Sequence, residues 1–326
     1  MQKYFHKFLV MWLILIVCAI YFFMERAAPQ IQSEQNVRIV IDSVGREIVI
    51  PEHPKRVVIL NASNLELYYA AGGQAIAKPV SSAFDVELQK KIADIPEIGF
   101  IHSPNLEKII SLQPDLVIGT NVPFHNALKD ALQKAGIPLY INSLSSYEDV
   151  LKTITFYGEL ANTKDRAIEK RRDIETEYAA VINQVKGKKT PKSLIVFGSP
   201  DSYSMATKKS FSGDLVNRLG GGNIADLNNN FGDSYVPLSM EYITQKDPEV
   251  IFIITMGNSQ KVMENFKTNM KENPIWNDVS AVKNDRIYQL PADLFTVNPG
   301  TQVAKAMLLL AEYLYPEEGK YDNKAG

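Results

Sequence analysis

The chain has 326 residues, 45% of them hydrophobic and 22% charged, with a formal net charge of −2. That composition is globular and long enough for two compact lobes, and it shows no basic stripe of the kind that neutralises nucleic-acid phosphates. One cysteine, Cys18, excludes an internal disulfide and a zinc site of clustered cysteines, and four scattered histidines make no preformed metal cage.

The N-terminus comes first in chain order. MQKYFHK supplies positive charge, and the uninterrupted apolar run FLVMWLILIVCAIYFFM (8–24) follows. That run exceeds a usual signal-peptide core and sits at the short limit for a spanning helix. Residues 1–26 are therefore expected to be a signal or membrane anchor. The N-terminus lies inside, and everything after about Ala27 lies outside the cytoplasm. Cys18 follows Leu15 at the spacing of a bacterial lipoprotein signal, although Val17 stands where that signal has a small residue. Lipidation at Cys18, an uncleaved anchor and cleavage near Ala27–Ala28 all stay open.

Residues 27–36 (AAPQIQSEQN) are polar and aperiodic, as in a tether. VRIVIDSVGREIVIP (37–51) alternates around a glycine turn and predicts a hairpin. RVVIL (56–60) reads as a strand covered on both faces, with Asn61, Ser63 and Asn64 as cap chemistry for the helix LELYYAAG. NLEKIISLQ, PDLVIG, FHNALKDALQKAG and IPLYIN then alternate helix and strand, so 37–146 form one α/β lobe with a parallel sheet. Residues 147–189 are helical throughout. Their second segment, NTKDRAIEKRRDIETEYAAVINQVKG, is too long for a crossover and predicts a rigid strut with a solvated charged face. The α/β pattern restarts in 190–316 with SLIVFG, FSGDLVNRLGG, MEYITQ, PEVIFIIT, RIYQLP and a terminal helix, before a polar tail, 317–326. The fold class expected is two Rossmann-like α/β lobes with parallel sheets joined by a long rigid α-helix.

The lobes share a phrase. NLEKIISLQPDLVI (105–118) and SMEYITQKDPEVIFII (239–254) both place a Glu near the start, a Pro seven positions later, an acidic residue and an aliphatic run. Glu107 to Glu241 and Pro114 to Pro248 are each 134 positions apart. A Glu in the first turn of a helix is favoured by the macrodipole and can stay in solvent.

With IDSVGREIVIPEHPKRVVIL, LVNRLGGGNIAD and AVKNDRIYQLP, these phrases resemble, in order, the iron-complex and cobalamin class of ABC-transporter substrate-binding proteins, over about 37–316. The resemblance implies two lobes on a helical backbone, a ligand cleft at their interface and no catalysis. It implies an importer's permease and ATPase subunits as partners, with a monomeric chain attached to the membrane through its N-terminus. It also implies that Glu107 and Glu241 are the carboxylates that dock into basic sockets of the permease. No intrinsic cofactor or resident metal is expected. The transported ligand is an iron chelate (a siderophore), a metal tetrapyrrole such as haem, or cobalamin.

Ligands of open α/β sheets sit beyond the carboxyl ends of the strands. In the first lobe those loops offer Asn61, Ser63, Asn64, Ser82, Phe84, Asn121, Phe124 and His125. In the second they offer Tyr203, Met205, Phe231, Tyr235, Met256, Asn258 and Phe295. Aromatic rings with few polar groups suit a flat or bulky ligand, and His125, Met205 or a Tyr could give a haem its axial ligand. The loops hold no Arg or Lys, which disfavours an anionic catecholate complex. Two other classes remain: an extracytoplasmic two-lobed transferase or hydrolase, and a zinc- or manganese-binding transport protein. The first lacks a nucleophile elbow or an HExxH motif, and the second would need several converging histidines, of which only His125 is well placed.

Overall fold

The computed structural model describes residues 36–200, 202–226, 233–257, 259–296 and 298–316. Cys18, the apolar run, all of the tether but Asn36, the tail, and two of the candidate ligand residues, Phe231 and Asn258, lie outside the described residues. Among the described residues no helix is long and apolar enough to cross a membrane.

Strands β1 (Val37–Ile41) and β2 (Glu47–Pro51) form the expected hairpin. Asp42 closes its turn: the carboxylate accepts the Val44 and Arg46 N–H groups and pairs with the Arg46 guanidinium. Gly45, at φ +82°, takes the left-handed position that a side chain would resist.

The first lobe's sheet contains β3 (Val57–Ile59) and β4 (Ala75–Ala77). A two-residue antiparallel pair, β5 (Gly99–Phe100) and β6 (Ser103–Pro104), stands apart, and β7 (Leu116–Gly119) and β8 (Leu139–Ile141) complete the sheet. Its order is β4-β3-β7-β8, every pair parallel. The segment read as one helix before Gly136 is two short ones, Pro123–Asn126 and Lys129–Lys134.

Two helices leave this lobe. Tyr147–Leu160 starts at Ser146, whose side chain accepts the Asp149 N–H, and Lys164–Val185 follows after a left-handed Asn162. Its 22 residues span about 33 Å at about 1.5 Å per residue. Thr163 does not cap it; its hydroxyl donates instead to Ala71 O at 2.6 Å, tying the strut to the first lobe.

The second lobe contains β9 (Lys192–Gly198), β10 (Tyr203–Ala206), β11 (Gly222–Asn223), β12 (Tyr235–Pro237), β13 (Val250–Thr255) and β14 (Ile287–Gln289). The order is β12-β10-β9-β13-β14, with β11 also on β9. Here a wholly parallel sheet does not hold. β10 runs antiparallel to both β9 and β12, while β13 is parallel to β9 and β14. The cause is connection length: Ser199–Ser202 joins β9 to β10, and a parallel return needs a dozen residues or more. Helix Ser259–Glu272, which the sequence reading passed over, follows β13.

Alternation along the buried strands divides the interior. Val57 and Ile59 of β3, and Val250, Phe252 and Ile254 of β13, face one cluster that also takes in Ile154, Ile174 and Val181 of the two long helices and Leu310 of the last. Val58 faces a separate first-lobe cluster, and Ile251 and Ile253 a separate second-lobe cluster. A single apolar core thus runs from one lobe through the strut into the other, so a large change in lobe angle would have to break close packing.

The repeated phrase performs the same work twice. Asn105 caps Leu106–Ser111 by accepting the Lys108 N–H, and Ser239 caps Met240–Lys246 by accepting the Tyr242 N–H. Each helix exits through a left-handed residue before its Pro, Gln113 at φ 45° and Asp247 at φ 48°. The following acid then clamps the neighbouring strand. Asp115 accepts the Lys55 and Arg56 N–H groups at 2.6 and 2.9 Å, and Glu249 accepts the Lys192 N–H at 2.8 Å.

Candidate functional site

Loops from the carboxyl ends of both sheets meet around a cavity of about 250 Å³. The first lobe lines it with Asn61 and Ser63 after β3, Pro79 to Ala83 after β4, and Ile101 from the β5–β6 turn; the second with Thr255, Gly257, Ser259, Asp293 and Thr296. Among the described lining residues there is no Lys or Arg, and the one charged side chain, Asp293, is acidic. The Thr255 hydroxyl is buried without a partner among the described residues, and Thr296 Oγ1 donates to Thr255 O at 2.8 Å. The volume falls just short of the few hundred Å³ typical of drug-sized ligands. A tetrapyrrole or ferric siderophore would therefore project past the mouth.

Exposed rings adjoin the lining residue Ile101. Phe100 and His102, which flank Ile101, stack at 5.5 Å and 16°, and Phe124 stands edge-on to His102 at 6.4 Å. Phe100 and Phe124 are both half exposed, as are Met256 and Tyr235 of the second lobe. Tyr235 leans on Phe197 at 4.9 Å.

The candidate residues therefore separate. Asn61, Ser63 and Ser82 line the cavity; Phe124, Tyr235 and Met256 are exposed, as is Asn121, whose side chain accepts from Asn126. Six others turn inward. Phe84 and Phe295 belong to the shared core, and Met205 to the second lobe's. Asn64 is fully buried, with its amide held in a polar network. His125 is fully buried too. Its Nδ1 accepts the Thr120 N–H at 3.0 Å, so the proton sits on Nε2, which lies beside the Ile101 backbone without a well-formed hydrogen bond. Burial pushes its pKa down to about 4. The ring is neutral and closed to a ligand, and His102, which had no evident partner in the sequence, is the imidazole at the rim. Tyr203 also packs inward, edge-on to Phe266, with its hydroxyl donating to Val262 O at 3.0 Å. Of the residues missed, Gly257, at φ +82°, lies in the turn after β13, and Asp293 and Thr296 lie in the same strand-end segment as Phe295; Ile101 carried no signal.

Below the cavity the lobes are latched. Ser63 Oγ donates to Asn298 O at 2.6 Å, Asn298 Nδ2 donates to Leu144 O, and Thr301 gives Glu66 both its N–H and its hydroxyl. Gly300, at φ +58°, leaves room for that carboxylate, since a Cβ there would lie 2.8 Å from Glu66 Oε2. Burial pushes Glu66 up to about 7, against the Thr301 hydrogen bonds, with Asp85 adding to the rise and Lys170 opposing it. The folded-state value lies above the unfolded 4.5. Its stabilisation is therefore complete below about pH 4.5 and is lost as pH rises towards about 7. Melting curves of wild type and Glu66→Gln should diverge over that interval, with the neutral variant the flatter; parallel curves would remove Glu66 from the account.

Glu107 and Glu241 sit at the second position of their capped helices. Both are exposed, and neither carboxylate has a partner among the described residues. Among those residues, no group of three or more His, Cys, Asp or Glu could hold a metal ion.

The profile of the periplasmic binding protein family matches residues 57–294, both lobes and the strut. The chain belongs to this family. Among its curated relatives is the high-affinity heme uptake system protein IsdE of Staphylococcus aureus (strain MRSA252), 30% identical over 248 residues that cover 74% of this chain and 81% of that one. Among solved structures, an ABC transporter substrate-binding protein from Listeria monocytogenes EGD-e superposes with a TM-score of 0.73 at 27% identity, over 81% of this chain and all of that one. S. aureus IsdE complexed with heme gives 0.71 at 28%, over 80% and 98%. This periplasmic binding protein thus has the two-lobe architecture of its family.

Proposed function

We propose that this chain is the extracytoplasmic substrate-binding component of an ABC importer for an iron complex. It captures the ligand between its lobes and docks on the permease through Glu107 and Glu241. The observation that carries the reading is the cleft itself: a shared cavity at the carboxyl ends of both sheets, with the exposed Phe100 and His102 on either side of its lining residue Ile101. The importer partners and the iron-complex class agree with the heme uptake relative and with the ABC transporter neighbour. A membrane-attached chain, anchored or lipidated at Cys18, fits the N-terminal apolar run.

Within that class, a flat tetrapyrrole fits better than an anionic catecholate complex. The lining has no cation to offset negative charge, whereas stacked Phe100 and His102 with Phe124 offer a π surface and an imidazole that can reach a metal. Protein purified from its native source should show a Soret band; visible charge-transfer bands would mean a ferric siderophore, and a corrin spectrum cobalamin. No chromophore, together with no response to added haemin, ferric siderophore or cobalamin, would overturn the reading. Replacing Phe100 and Phe124 together by Ala should weaken binding roughly tenfold through lost stacking and burial, as read by spectral titration.

A further inference from the structure

The β1–β2 hairpin shows solvent the wrong face for a soluble domain. Its inward residues, Val40, Ile48 and Ile50, pack on the shared core. Yet the outward side chains are aliphatic too: Ile39 is 69% exposed, Ile41 67% and Val49 57%, with Val44 at the turn 37% exposed. Contiguous exposed apolar side chains mark a surface that meets something.

We propose that this face rests on the lipid bilayer to which the chain is attached. The inference rests on reading residues 8–24 as an anchor. Residues 25–36 join that run to the hairpin. Fully extended, twelve residues reach at most about 43 Å. That length keeps the hairpin within reach of the membrane surface, and at the resulting effective concentration a patch of four aliphatic side chains suffices for contact.

The charges say how it binds. Arg38 is turned away, paired with Glu159 at 3.1 Å and lying over the Phe156 ring, and Arg46 is held by Asp42. The hairpin's cations are thus spent within the protein, and exposed Glu47 is the charge on the outer side of β2. Contact comes from apolar burial at the headgroup–acyl boundary, not from attraction to anionic lipid. It is indifferent to salt and to lipid charge.

The full chain reconstituted in phosphatidylcholine vesicles with brominated acyl chains tests this, with Ile39→Trp as reporter in a Trp12→Phe background and the fully buried Trp276 as internal reference. The reporter should lose roughly half of its emission, equally at low and high salt. Adding Ile41→Asp should abolish the quenching while leaving the melting midpoint and ligand titration unchanged. A chain that floats with the vesicles but is not quenched overturns the proposal and leaves the anchor standing, whereas a chain that does not float overturns both. Quenching that collapses in salt, or cross-linking through position 39 to a second copy, also overturns it. Titration of the same vesicles with haemin or a ferric siderophore reports separately on the iron-complex reading.

Discussion

Reversing two charges, Glu107→Lys with Glu241→Lys, should abolish uptake while leaving the ligand's affinity for the isolated protein unchanged. Both carboxylates are exposed and neither has a partner among the described residues, so their removal takes nothing from the fold beyond a helix-dipole contribution of about 0.5 kcal/mol each. Their placement is nonetheless tightly specified. Each sits one residue into a capped helix whose exit is fixed by a left-handed residue, a proline and an acid clamped to the next strand. Charge complementarity sets encounter rate and register, so each single reversal should cost roughly tenfold to a hundredfold in transport, and the pair should bring it to background. Uptake into vesicles bearing the importer, with ligand titration as the control, measures both. Transport that survives the double reversal would end the docking assignment.

The second large effect is on stability. Asn64 Nδ2 donates to Asn61 Oδ1 at 2.8 Å and Asn142 O at 3.0 Å, while its Oδ1 accepts from Asn142 Nδ2 at 2.7 Å and Tyr157 Oη at 2.9 Å. Asn142 in turn reaches Thr153 Oγ1. The network ties the helix Ala62–Ala70, the end of β8 and the helix Tyr147–Leu160 in a buried site. Asn64→Leu removes the hub and leaves several buried polar atoms unsatisfied, at a cost of about 3–5 kcal/mol. The melting temperature should fall by roughly 10 °C, with ligand affinity below the transition changed no more than a few-fold. A stable variant that has lost its ligand would instead return Asn64 to the binding site.

Tyr157 illustrates the same point. Nothing in YEDVLKTITFYGELA singles it out, yet it is fully buried against Tyr68 and bonded to Asn64. It completes a network whose other members come from other parts of the chain.

Much was legible in the residues alone. Aliphatic runs bounded by caps and glycines specify buried strands and the helices between them, because local period and turn chemistry act over a few residues. The 134-residue echo locates two equivalent acidic positions, and an unbroken 22-residue helix marks the strut. Direction was not legible. Whether a loop aromatic faces cleft or core depends on which neighbours fill the space beside it: Phe84 and Phe295 are enclosed by the shared core, while Phe100 and Phe124 are left at the rim. His125, expected at the cleft, is buried for that reason, while His102 is exposed beside Ile101. The Glu66 latch likewise depends on partners brought together across the fold. The two-lobed frame and its two equivalent acidic positions can be read from the residues because they follow from near-neighbour chemistry; which side chains the cleft receives cannot, because close packing assigns each residue a side only once the whole chain is in place.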